Sequence, residues 1–198
     1  MKKVTFLTAV SLLHISAVAT FASLTVNGDF EAGNTGFISG YGYSLTDTTP
    51  PQSYTVGTDP HNTHSAAASY GDHTTGFGNM LVVNGSTAAG VTVWEQSLAV
   101  APGADYTLSY WVSSWHNDVP AQLETFINGV LLGTDVAPLT VGQWTQVSHT
   151  WNAGANSLAT IRFVDHEQAF SGNDFALDDI SFSGPSIPAP GAILLGSV

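Results

Sequence analysis

The stretch NDFALDDISF, residues 173–182, sets two carboxylates, Asp178 and Asp179, among apolar residues that alternate as in a β-strand. Strand side chains point to opposite faces in turn, so one of two adjacent acids must share the apolar face. Parity gives that place to Asp178, beside Ala176, Ile180 and Phe182. A bare buried carboxylate is costly and has to be protonated, paired or bound to a metal. Ion pairing is scarce, because Lys and Arg total 3 against 15 Asp plus Glu. Elimination leaves a hard cation such as Ca2+, which collects oxygen ligands from carboxylates and carbonyls. The alternative is a pair of solvent-facing acids at a strand end.

A second group is aromatic. Trp111 and Trp115 are four residues apart on one alternating segment, which puts them on one face about 13 Å from each other. If the opposite face is core, both tryptophans point outward and can stack on the apolar faces of sugar rings. His116 and Asn117 follow directly, with Asp118, and could bond sugar hydroxyls. The competing reading has the long loops covering Trp111 as ordinary packing. Trp94, Trp144 and Trp151 read as core.

Two further groups could do chemistry. His61, His64, Asp72 and His73, with Asp59, fall within fifteen residues, and imidazole plus carboxylate can bind zinc, but the spacing fits no zinc motif. A solvated polar loop is the expected reading. Asp165 and Glu167 have same-face spacing, as a glycosidase acid pair would need, but they sit in a turn with no aromatic groove implied around them. Without cysteine, nucleophilic-thiol chemistry is excluded.

The elements that must position these residues are strands. Alternation and turn signals predict strands over 53–58, 79–85, 91–100, 105–115, 122–134, 143–151, 159–165 and 173–182. Asn128-Gly129 inside 122–134 is a two-residue hairpin signal. No stretch keeps a helical period, so the fold class is all-β, a jelly-roll β-sandwich of two antiparallel sheets. Residues 33–70, rich in Gly, Ser, Thr and Pro, read as long loops at one end or edge.

Four motifs occur in the order found in bacterial carbohydrate-binding modules of the galactose-binding-like jelly-roll fold: VNGDFEAG (26–33), GFGNMLVVNG (76–85), APGADYTLSYWV (101–112) and NDFALDDISF. The resemblance covers about residues 24–184 and implies a non-catalytic glycan-binding or adhesion module with a structural calcium. In such modules the ion ties the first strand to the last. Carried over by motif, its ligands here are Glu31 and Asp178, with Asp29 and Asp179 as neighbouring acids.

The ends carry targeting signals. Lys2 and Lys3 precede an apolar run closing in small residues, which predicts a signal peptide over 1–23. Its removal leaves Arg162 as the one Lys or Arg, an acidic surface that repels nucleic acid and anionic lipid. Residues 185–198 form a linker and an apolar tail whose Pro188-Ala189-Pro190-Gly191 resembles the start of a PEP-CTERM sorting signal, handled by an exosortase. It departs from that pattern at Ala189, where Glu is usual, and the run reads as truncated. The expectation is a protein secreted to, or held at, the outer surface of a Gram-negative bacterium, bound to extracellular polysaccharide. The alternatives are a structural matrix protein without small ligand, and a polysaccharide hydrolase or lyase.

Overall fold

A computed structural model describes residues 21–185. The predicted signal peptide, apart from its last few residues, and the PEP-CTERM-like tail lie outside the described residues. Ten strands run in chain order: β1 (Gly42–Tyr43), β2 (Ser53–Gly57), β3 (Met80–Asn84), β4 (Thr92–Ala99), β5 (Asp105–Ser114), β6 (Gln122–Ile127), β7 (Val130–Val136), β8 (Thr145–Asn152), β9 (Leu158–Asp165) and β10 (Phe175–Ser183). The one helical turn described is a 3-10 helix at Pro60–Asn62, capped by the Asp59 carboxylate on the His61 amide.

The strands form a six-stranded sheet, β1-β2-β3-β10-β5-β8, and a four-stranded sheet, β4-β9-β6-β7. Every pairing is antiparallel except β1 with β2. The β6–β7 hairpin turns on Asn128 and Gly129, both at positive φ (52° and 77°), the conformation a two-residue turn requires. Between the sheets lies the main core. Tyr106, Leu108, Tyr110 and Val112 of β5 meet Ala159, Ile161 and Phe163 of β9 there, as alternation predicted.

The outer face of the six-stranded sheet is also covered. Residues 64–79 fold back across it, and Met80, Val82, Trp115 and Ala176 form a second, smaller apolar cluster with Ala67, Tyr70 and Trp144. Trp144 therefore belongs to this layer, whereas Trp94 is in the main core and Trp151 packs partly buried against it.

The strand β10 does not keep its parity. Its register against β5 shifts between Asp178 and Ser181, and Asp179 takes a positive φ of 48°. That is a β-bulge, and it moves the phase by one residue. Phe175, Leu177, Ile180 and Phe182 all face the main core, while Ala176 and Asp178 face the covered outer layer. The expectation that Asp178 shares a face with Ile180 and Phe182 is thus corrected. The bulge lets an apolar strand carry two acids in a row without placing either in the main core.

Candidate functional site

Three of the acids predicted as a calcium clasp, Glu31, Asp178 and Asp179, anchor one loop. Asp178 is fully buried, its Oδ2 accepting from the His73 amide at 2.9 Å and its Oδ1 from the Asp179 amide at 2.8 Å. Asp179 accepts from the Thr74 hydroxyl at 2.8 Å and pairs with His73 Nδ1 at 2.7 Å. Asp72 accepts from the amides of Thr75 and Gly78, and Glu31 from the amide of Asn79 at 2.7 Å. Asp29 is exposed at the turn and reaches only the Glu31 amide. Asp178, Asp179 and Glu31 therefore hold residues 71–79 from outside, and Asp72 closes the loop on itself. Among the described residues no three His, Asp or Glu side chains are grouped to hold a metal. Hydrogen bonds join the ends of the domain: the Ile180 amide donates to Gly28 O, the Leu24 amide to Phe182 O, and the Phe182 amide to the Thr25 hydroxyl.

Parity of the two tryptophans is as expected, but their exposure is not. Trp115 is 0% exposed, its indole N–H donating to Val83 O at 3.0 Å. Trp111 lies beneath His73, whose ring stacks on it with centroids 3.7 Å apart and planes 17° from parallel. The loop that the acids anchor thus lays an imidazole where an open platform would receive a sugar. The expected Trp111–Trp115 pair of exposed rings is corrected to one covered and one buried tryptophan.

The predicted histidine group disperses. His61 bonds Ala67 O, His64 packs on Trp115 at 4.9 Å, and His73 sits on Trp111. Asp165 is 1% exposed and organises a turn, accepting through Oδ1 from the amides of Gln122 and Glu167. Burial pushes its pKa up to about 8. An acid so enclosed does not reach a polysaccharide, and Glu167 is occupied by Gln122, Gln168 and Ala169.

A pocket does form where three neighbouring strands of the six-stranded sheet meet the loops. Asn84 ends β3, His116 follows β5, and Asp174 precedes β10. The pocket between them, about 190 Å³, is closed by His64 from the long-loop region and by Phe170 from the β9–β10 connection. Its walls are fixed. Trp115 supports His64 from below. Asn84 donates to the carbonyls of Thr48 and Thr49. The Phe170 turn is tied to the neighbouring segment by the Ser171 hydroxyl on Asp118 and by the Asn173 amide on Val119 O.

The pocket chemistry is polar with one aromatic edge. Asp174 is 8% exposed, and its Oδ1 accepts from the Gly85 amide at 3.2 Å. Burial raises its pKa to about 7, with the nearby Asp118 adding to the effect. His64 is shifted the other way, held below the usual imidazole range by burial and by His116. His116 Nδ1 is buried without a hydrogen-bond partner and stands 3.8 Å from Asp118. Phe170 is 80% exposed at the rim. Of the sequence-named residues His116 and His64 line this pocket; Asn117 is exposed beside it in a depression over Trp115. Asp174, Asn84 and Phe170 were missed. Phe170 alone carried a signal, as a large apolar residue in a polar Ser-Gly turn.

No family model and no curated protein matches the chain. Its fold recurs among solved structures. The Stig cyclase Fisc from Fischerella sp. TAU superposes with a TM-score of 0.57 at 16% identity, over 84% of this chain and 98% of that one. The arabinose-bound α-L-arabinofuranosidase MgGH51 gives 0.55 at 16% identity, over 84% of this chain and 27% of the enzyme. The CBM22-1 xylan-binding domain from Paenibacillus barcinonensis Xyn10C gives 0.46 at 12% identity, over 84% and 97%. At these identities the likeness is one of fold, a jelly-roll β-sandwich, and the fold hosts both binding and catalysis.

Proposed function

We propose that the protein is a secreted, non-catalytic saccharide-binding module whose site is the pocket at the ends of β3, β5 and β10. The observation that carries this reading is the pocket's composition: an exposed aromatic ring, Phe170, beside four polar side chains held in place by the fold. Sugars are recognised by such a pairing, with a ring face for their C–H surface and fixed donors and acceptors for their hydroxyls. The pocket suits one sugar unit rather than a chain, so it would take a terminal residue or a branch. The burial of Asp165 favours the non-catalytic reading over a hydrolase. Secretion rests on the lysine-plus-apolar N-terminus and the acidic, cysteine-free composition, and among the described residues no helix is long and apolar enough to cross a membrane. A glycan array probed with the purified chain tests the proposal. Binding that is lost in His116→Ala, with the melting temperature kept, supports it. A chain that binds no glycan contradicts it.

A further inference from the structure

The pocket holds an acid that nothing in the protein neutralises. Asp174 lines it, over nine-tenths buried, with Oδ1 engaged by the Gly85 amide. Among the described residues no donor reaches Oδ2, which is left to the pocket. The charged and titratable groups that act on it are Asp118, Asp165 and Tyr41, and His116 and His64 line the same pocket. Asp118 repels it, and His64 is kept toward its neutral form by burial. Arg162, the one Lys or Arg among the described residues, is on the other sheet, its guanidinium 4.9 Å over the Phe126 ring. The whole chain is at −12 formal charge, so the potential at this site favours a cation over an anion.

The geometry points to a terminal amino sugar with a free ammonium group as the preferred ligand, its amine on Asp174 Oδ2 and its ring face on Phe170. This inference rests on the saccharide-binding reading and adds the chemical class. An ammonium supplies the counter-charge that a buried carboxylate lacks, and a charge-assisted hydrogen bond in a sheltered site is stronger than a neutral one. An N-acetylated sugar removes that charge, and a uronic acid reverses it. Partly deacetylated extracellular polysaccharide is the kind of polymer whose ends and branches present such a group.

The test is calorimetric titration of the full chain with the methyl glycosides of glucosamine, N-acetylglucosamine and glucose. The expected result at pH 7.5 is at least a tenfold tighter Kd for glucosamine than for the other two. Asp174→Asn should abolish that preference while glucose binding persists. In the wild type the preference should also shrink on going to pH 5, where the carboxyl takes up a proton; this arm needs no variant to fold. Equal affinity for glucosamine and N-acetylglucosamine overturns the amino-sugar inference but leaves saccharide binding standing. Failure of all three glycosides, together with a blank glycan array, overturns the reading beneath it.

Discussion

His73 lies flat on Trp111, ring centroids 3.7 Å apart, and its Nδ1 is fixed by Asp179 at 2.7 Å. The sheet face that sequence spacing offered for binding is therefore closed by the protein's own imidazole, and Asp178 and Asp179 hold that residue in place. The stack should behave as one unit. His73→Ala is expected to cost about 0.5–1.5 kcal/mol, the usual worth of an aromatic pair, and to shift tryptophan emission to the red as Trp111 meets water. Unchanged emission would show that the loop does not cover Trp111 in solution.

Asp178 gives a sharper stability test. Asp178→Ala leaves the amides of His73 and Asp179 without their acceptor inside a covered layer, and each buried donor stranded in this way costs about 1–3 kcal/mol. Urea denaturation should show a midpoint lowered accordingly. EDTA tests the calcium expected at these carboxylates: an unchanged wild-type melting temperature would show that their amide and hydroxyl partners suffice. A large drop with EDTA would place a calcium ion at this end of the fold.

Trp115→Ala tests folding and not recognition. The side chain is fully buried and bonds Val83 O, and large-to-small changes at such aromatic sites cost about 3–5 kcal/mol. Circular dichroism should report a steep loss of thermal stability. A variant as stable as the wild type would contradict the covered outer layer.

Stability should fall as pH rises. Burial lifts Asp165 to about 8, and Asp174 and Asp178 to about 7, all from an ordinary 3.8. Between 3.8 and these values the folded chain keeps protons that the unfolded chain has lost. Folding therefore binds protons, and its free energy weakens with pH across that window. Asp47 and Asp72 act oppositely, since their depressed values remove stability only as pH falls through them. Melting temperatures should be higher near pH 5 than near pH 8, and Asp165→Asn should flatten the slope. A melting temperature that rises from pH 5 to pH 8 would contradict the burial of these acids.

Strand positions were legible in the sequence because one face of each strand is core: Tyr106, Leu108, Tyr110 and Val112 announce themselves by alternation. Alternation says which residues share a face and not what lies over that face. Trp111 and Trp115 were placed on the correct side and still misjudged, because residues 64–79 cover it and nothing local to β5 records that. The bulge at Asp179 was hidden for a related reason. A one-residue slip in a strand is written in backbone dihedrals, and Asp can take the left-handed conformation without glycine to signal it. The pocket was least legible of all, since Asn84, His116, Phe170 and Asp174 come from four separate stretches and meet only through the order β3-β10-β5.

Saccharide binding at the pocket edged by Phe170 is open to direct test. Phe170 is exposed and carries little of the fold, so Phe170→Ala should keep the wild-type melting temperature. Titrating wild type and Phe170→Ala side by side with the tightest ligand found on a glycan array is the direct measurement. The Kd of the variant should be at least tenfold weaker, as loss of a stacking surface produces. Equal affinity in the two proteins would place the binding surface elsewhere on the sandwich and contradict the site proposed.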